Sequence, residues 1–387
     1  MIDISALNKG GKVLICDANF CTVPLLKAIK KNRLSVAVVG VKKEDPCHHL
    51  SDKSYLVDYS NKDLLFDLVK EGGFDYIVPG CNDQSYISSA FVAEKLNKPG
   101  YDSYETTLTI HHKDKFREYS QIKKYPMPKV ANTIEDAHYL KFPLLIKPVN
   151  SFSGKGIVKV ENKKELKKHA HLIKNGAIVE EFVKGELYSH SAFIKDGNIV
   201  VDFFVNEYCT IYPYQVNSSN LASTLKASVK KKARDWLHQF ARDLKLCNGL
   251  VHTQFISQGD DFWLVEVARR CPGDLYSELI RNSTGINYSS LYSLPFLGIE
   301  LPKMVEKDDL KFFSRHTASV KKDCVFVSSQ LKISSRNISN VQLKLSGEPM
   351  KAAPYGRSGI YFIESETADE MEKLTKNLYK YVVIEKY

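Results

Sequence analysis

The sequence predicts a mixed α/β and α+β protein of three units: a Rossmann-like first domain over residues 1–104, a larger middle unit over 105–300 and a small mixed C-terminal unit over 301–387. Three observations lead there. Short apolar runs alternate with amphipathic stretches across residues 12–96, the rhythm of βαβ units that form a parallel sheet covered by helices. Beyond the punctuation at Asn97-Lys98-Pro99-Gly100, strand signals dominate and one strong helical period interrupts them. Around Leu301-Pro302-Lys303 the composition shifts again, to short strands with a closing amphipathic helix near Ala368–Tyr379.

In the first unit, Lys12–Cys16, Ser35–Val41, Tyr55–Val57 and Tyr76–Pro79 read as strands, and Val23–Lys31, Leu64–Lys70 and Ser85–Leu96 as helices. A dinucleotide site would place GxGxxG after the first strand. The turn there is Asp17-Ala18-Asn19-Phe20, without a glycine, so the resemblance to a Rossmann domain is one of layout only. In the middle unit, Val229, Ala233, Trp236, Leu237, Phe240 and Leu244 keep a helical period that Asn248-Gly249 is expected to stop.

Composition narrows the class. Of the 387 residues, 43% are hydrophobic and 26% charged, an ordinary globular balance. No apolar run approaches the ~18 residues of a membrane span. Met1-Ile2-Asp3-Ile4 lacks a secretory pattern, so a cytoplasmic protein is expected. The eight cysteines form no CxxC pair and no zinc spacing, and they read as reduced thiols. The net charge of +10 raises the question of nucleic acid. Its lysines, as in Lys163-Lys164-Lys167-Lys168, sit in helix-like segments without interleaved aromatics. They read as solvated helix faces, and no nucleic-acid partner is expected.

The chemistry concentrates in the middle unit. From Leu144 to Val160 an apolar strand carries Lys147, a Ser/Gly loop follows at Ser151–Gly156, and a second strand returns. Small residues such as Ser153, Gly154 and Gly156 let backbone N–H groups approach phosphate oxygens, and a lysine adds a point charge. A Walker loop would run into a helix, whereas this one returns into a strand. Taken alone, an ordinary glycine hairpin with a snorkelling lysine explains it equally well. Ile178–Glu186 is an apolar strand ending in carboxylates, where extended backbone could read adenine and a carboxylate could accept from ribose; an edge strand with solvated glutamates is the plain alternative. The segment His112–Arg117 offers another lysine, Lys115.

Leu250–Ile256 and Phe262–Ala268 form a hairpin around Ser257–Asp261. A register centred on Gly259 sets Gln254 opposite Leu264 and His252 opposite Glu266, so His252, Gln254 and Glu266 share a face. A carboxylate within an apolar strand is costly unless paired or metal-bound. Arg269 and Arg270 follow directly.

Together these segments resemble an ATP-grasp ligase, the superfamily of D-alanine–D-alanine ligase, biotin carboxylase and the purine-pathway carboxylate–amine ligases. Pro79-Gly80-Cys81-Asn82-Asp83 followed by Lys115-Phe116-Arg117 is similar to that family as well. The resemblance implies a pre-ATP-grasp domain, a two-lobed ATP-grasp core and a C-terminal domain. It implies ATP and Mg2+ or Mn2+ as cofactors, small-molecule carboxylate and amine substrates, no nucleic acid or membrane partner, and is compatible with a homodimer. Lys115 and Lys147 match its phosphate-binding lysines, and Ser151–Gly156 its lid. Glu180, Glu181, Phe182 and Val183 match the adenine hinge, and Glu186 the ribose-binding glutamate. Glu266 matches the metal-bridging glutamate of a Glu-x-Asn-x-Arg signature, and Arg270 its arginine. Two positions depart: the asparagine is Ala268, and the first metal carboxylate is Gln254. The implied activity is carboxylate–amine ligation through an acyl phosphate, with release of ADP and phosphate and with Lys147 and Arg270 in catalytic roles. A carboxylase-like enzyme activating bicarbonate and a non-catalytic nucleotide-binding protein are the alternatives. His190, Tyr188, Tyr212, Tyr214 and Arg269 are further residues for either the pocket or the framework.

Overall fold

The computed structural model describes residues 10–148, 154–303, 309–333 and 337–387. Ser151 and Ser153 lie outside these described residues. The fold class is as expected.

Strands β1 (Lys12–Cys16), β2 (Ser35–Gly40), β3 (Lys53–Leu56) and β4 (Tyr76–Pro79) form a parallel sheet in the order β3-β2-β1-β4. Successive side chains of a strand face opposite ways, so a sheet covered on both sides needs apolar residues at every position. That is why β1 and β2 read as unbroken runs. Leu14, Cys16, Ala37 and Val39 pack on Leu65, Val69 and Val92. Val13, Ile15, Val36 and Val38 share the opposite core with Leu25, Leu26 and Ile29, and also with Leu279, Tyr288 and Tyr292 from far along the chain. The middle of the sequence therefore roofs one face of the first sheet.

A small antiparallel sheet comprises β5 (Val130–Ala131), β6 (Leu144–Lys147), β7 (Val158–Val160) and β8 (Ile178–Glu181), ordered β5-β8-β6-β7. Here β8 pairs on both sides and is not an edge strand. The later strands are β9 (Glu186–Lys195), β10 (Asn198–Tyr208), β11 (Ser218–Leu221), β12 (Gly249–Gln258), β13 (Asp261–Ala268), β14 (Phe312–Ala318), β15 (Cys324–Leu331), β16 (Ile338–Gln342), β17 (Pro349–Met350), β18 (Gly359–Ser365) and β19 (Val382–Lys386). Eight of them build one sheet in the order β13-β12-β9-β10-β11-β14-β18-β16. This sheet runs on through the pairing of β11 with β14, so strands on both sides of residue 300 belong to it.

Three local expectations need correction. The helix Ala227–Asp243 buries Val229, Ala233, Trp236, Leu237 and Phe240 as its period demands, yet it ends before Asn248-Gly249. Lys245, at φ 50°, supplies the left-handed break. The helix Ala368–Asn377 does not close the chain, because β19 follows it. The β12–β13 hairpin turns on two residues, with Gln258 opposite Asp261, and is not centred on Gly259. A bulge at Val265 then sets Gln254 opposite Glu266 and His252 opposite Ala268. His252, Gln254 and Glu266 still share a face, but the register that places them there is different. Among the described residues, no helix is long and apolar enough to cross a membrane.

Candidate active site

A cleft of roughly 2440 Å3 opens where the three sheets converge. Its walls are the carboxyl-terminal edge of the parallel sheet with Asp17, Asn82 and Asp83, the small sheet with Lys147 and Glu180, and the large sheet with Glu207, Gln254, Glu266 and Arg315.

Lys147 ends β6 opposite Ile178, and Glu180 on β8 lies opposite Leu145, which brings the two side chains to one face. Lys147 Nζ donates to the Glu180 carboxylate. The Arg117 guanidinium binds the other carboxylate oxygen at 2.5 Å and the Val265 carbonyl at 2.6 Å. Glu180 is fully buried. Burial pushes its carboxyl up, but Arg117 and then Lys147 outweigh it and hold the group down at about 2. The glutamate of the expected hinge is thus a buried brace that aims Lys147. Glu181 accepts from the Lys141 N–H at 2.8 Å. The N–H groups of Glu181 and Phe182 donate to Lys129 and Pro143 carbonyls, whereas that of Val183, on the cleft wall, has no backbone partner among the described residues.

This arrangement sets a pH limit. The ordinary carboxyl value of 4.5 is lowered to about 2 in the fold, so the stabilisation is complete above about pH 4.5 and disappears as pH falls toward 2. It amounts to something on the order of 3 kcal/mol. Glu180→Gln, which leaves two cations facing an amide, is expected to cost about 3–5 kcal/mol at neutral pH and to flatten the acid limb of the melting-temperature profile. An unchanged profile would contradict the bracing role.

Helix Lys113–Ile122 presents Lys113 and Arg117 to the cleft, one turn apart, while Lys115 is exposed and does not line it. Burial lowers the Lys113 ammonium, with Glu266 and Asp83 opposing that effect. Glu186 also stands outside the cleft and accepts from the Tyr188 hydroxyl at 2.8 Å. Gly154 is at φ 69°, and a Cβ there would sit 2.5 Å from the Tyr214 carbonyl oxygen, so the described end of the expected lid lies against that backbone. Lys155 Nζ lies 4.6 Å from the centre of the Tyr355 ring across the cleft. Gly156, at φ 72°, packs near Pro148.

On the large sheet, Gln254 opposes Glu266, and its amide donates to Glu207 on β10. Glu207 is buried, and burial, partly offset by the Ser189 hydroxyl and Arg315, pushes its carboxyl up to about 7. Burial lowers His252 to about 3, leaving it a neutral imidazole 2.7 Å from the Ser191 hydroxyl. Arg270 forks onto Asp83 at 3.0 and 3.2 Å, and Asp83 also meets His111 at 2.9 Å. Burial alone would raise the Asp83 carboxyl, but Arg270 and His111 hold it well below the usual range. Arg269 is buried on Asp102 and the Cys247 carbonyl, each at 2.8 Å, and belongs to the framework. His190 is buried on Asp202 and stacked on Phe204; of the five further residues named from sequence, only Tyr214 lines the cleft.

Glu266 and Glu207, with the Gln254 amide oxygen, are hard oxygen donors on one wall. Magnesium takes one or two carboxylates plus substrate phosphates, so this set fits it. Among the described residues no group of three His, Cys, Asp or Glu side chains has metal spacing.

Lys113, Glu207 and Arg315 join the site although the residues alone did not point to them, and Asp83 and Arg117 gain roles only here. The helical phase linking Lys113 to the buried Phe116, Arg117 and Ser120 was the available signal for the first. Nothing local marks Glu207 or Arg315.

These features define an α/β protein of four sheets, the fourth being β17-β15-β19, with a deep cleft lined by lysine, arginine and carboxylate groups. Residues 112–274 match the ATP-grasp domain family. A formate-dependent phosphoribosylglycinamide formyltransferase of Prochlorococcus marinus (strain MIT 9301) is 29% identical over 174 residues, 40% of this chain and 44% of that protein. A protein of the same name from Thermococcus kodakarensis is 24% identical over 302 residues, 71% of this chain and 68% of that protein. The chain spans less than half the length of the first of these relatives. Among solved structures, a phosphoribosylglycinamide synthetase from Anaerococcus prevotii superposes with a TM-score of 0.79 at 17% identity, over 97% of this chain and 99% of that one. An L-amino acid ligase from Bacillus licheniformis does so with a TM-score of 0.77 at 19% identity, over 98% and 99%. At these identities the structural likeness is one of fold.

Proposed function

We propose that this chain is a cytoplasmic, ATP-dependent carboxylate–amine ligase that works through an acyl phosphate and releases ADP and phosphate. We divide it accordingly into a leading domain at 1–104, an ATP-grasp domain at 105–300 and a C-terminal domain at 301–387. Its partners are a small acid and a small amine, with a homodimer as the expected assembly and no nucleic acid involved. The observation that carries the reading is the convergence of the Lys147–Glu180–Arg117 and Glu266–Arg270–Asp83 groups on one cleft of an ATP-grasp domain.

In this reading adenine meets the Glu181–Val183 backbone, where the Val183 N–H, without a backbone partner among the described residues, is a donor, and Lys147 and Lys113 reach the phosphates. Glu266, with Glu207 and Gln254 nearby, would hold Mg2+, which would supply neutralisation of phosphate charge. The acid's carboxylate oxygen attacks the γ-phosphorus, and the bond from that phosphorus to the β-phosphate bridge oxygen breaks, which frees ADP. Arg270 faces the charge on the transferred group. The amine then attacks the acyl carbon, loses a proton, and displaces phosphate. Positioning and charge neutralisation suffice, and no side-chain nucleophile takes part.

The test is a screen of acids and amines for ATP turnover, with bicarbonate among the acids. With a productive acid, ADP and phosphate are expected, and hydroxylamine should trap the acyl group as a hydroxamate. AMP and pyrophosphate as products would overturn the reading, as would tight ATP binding with no turnover under any mixture.

A further inference from the structure

Arg270 is held inside a closed ring of hydrogen bonds that begins and ends on its own stretch of backbone. Its guanidinium donates from Nε to Asp83 Oδ1 at 3.0 Å and from a terminal nitrogen to Oδ2 at 3.2 Å. Asp83 Oδ1 also meets His111 Nδ1 at 2.9 Å. The ring closes where the N–H of Arg269, the residue before Arg270, donates to His111 Nε2 at 3.3 Å. Three elements supply these groups: the stretch that follows β13, the helix Asp83–Leu96 and the helix Tyr104–His111.

These hydrogen bonds assign the imidazole tautomer. A ring nitrogen that accepts an N–H carries no proton, so the His111 proton sits on Nδ1 and is donated to Asp83. A neutral donor orients the carboxylate without neutralising it, so the charge of Asp83 stays with Arg270. An imidazolium on the same oxygen would compete with the Arg270 Nε. Packing fixes the imidazole plane. The His111 side chain is fully buried and stacks on Tyr86, with ring centres 4.9 Å apart and 19° between the planes. Tyr86 in turn lies against Tyr101 and Phe296. The Arg269 peptide is anchored as well, because its buried side chain is tied to Asp102 and to the Cys247 carbonyl. The Asp83 side chain is different, being 40% exposed. An exposed carboxylate loses rotamer freedom only when something holds it. The buried imidazole is that rigid support, and it stands on the cleft wall with Asp83 and Arg270.

We propose that His111 is a positioning residue that, as its neutral Nδ1–H tautomer, holds Asp83 in the rotamer that aims Arg270 at the transferred phosphoryl group. This rests on the ligase reading, which places Arg270 there. His111 touches no reacting atom in this arrangement, so its contribution is one of orientation. Two substitutions separate the Nδ1 donor from the bulk of the ring. Asparagine carries an amide to the position of Nδ1 and can still donate to Asp83. Glutamine reaches the position of Nε2 and leaves Asp83 without that donor.

The test uses the full chain and two independent readouts. Heteronuclear NMR of the histidine-labelled chain, with His111→Gln to assign the signal, is expected to show a neutral His111 protonated on Nδ1. Calorimetry then compares ADP with aluminium fluoride, a mimic of the phosphoryl group in transfer, against a non-hydrolysable ATP analogue, each with Mg2+. His111→Gln should weaken the aluminium fluoride complex about tenfold, while affinity for the ATP analogue stays within about twofold. His111→Asn should return the aluminium fluoride complex to within about threefold of wild type. An Nε2–H or charged imidazole in the wild type, a complex indifferent to His111→Gln, or equal losses in the two variants would each overturn the proposal. If the wild type forms no aluminium fluoride complex, or Arg270→Ala leaves it unchanged, the placement of Arg270 in the ligase reading fails instead. The brace is then decided by the tautomer and by hydrogen exchange at the Arg270 Nε–H, which should be faster in His111→Gln than in His111→Asn; equal rates would overturn it.

Discussion

Glu266→Gln is expected to lower ADP release by roughly 10²–10³-fold while the chain folds as before. The substitution is nearly isosteric, so the hairpin with its bulge at Val265 and the pairing with Gln254 should persist. What disappears is the carboxylate that the family resemblance matches to the cation. Compensation from its surroundings is limited, because Gln254 is already an amide and Glu207 is engaged by that amide. Nucleotide affinity measured without divalent cation should stay near wild type, since Lys147 and Lys113 sit on other elements. Turnover near the wild-type rate would remove Glu266 from the mechanism.

Arg270→Ala should lose about a hundredfold or more in kcat, with the KM for ATP within about threefold. Asp83, at the start of the helix Asp83–Leu96, grips Arg270 through two bonds from an element 187 residues away in the chain. The Asp83 side chain is 40% exposed, so this pair contributes little stability, within about 1 kcal/mol. A large kinetic loss with a small change in melting temperature therefore reports on chemistry. Asp83→Asn supplies the discriminating comparison: if Asp83 only orients Arg270, its loss in kcat should be about tenfold and smaller than that of Arg270→Ala. Equal losses in the two variants would instead assign the effect to the Arg270–Asp83 contact itself.

Elements whose partners are near in the chain, or whose pattern is unambiguous, are legible in the residues alone. Unbroken apolar runs at Val13–Cys16 and Val36–Val39 can be satisfied only by a sheet covered on both faces, and that is how β1 and β2 are buried. Lys147 and Glu266 stand out because each is a charge inside an apolar strand, which demands a partner. The other features depend on long-range packing. Lys113 and not Lys115 reaches the cleft because helical phase, set by the burial of Phe116 and Arg117, chooses the face. Gln254 meets Glu266 because one bulged residue resets a register that a symmetric hairpin would place elsewhere. Glu207 finds Gln254 across 47 residues and Arg315 finds Ser219 across 96, through strand pairings that no local pattern encodes. Hydrophobic periodicity reports which face of an element is buried, whereas the neighbour on that face is selected by packing and sheet order over the whole chain.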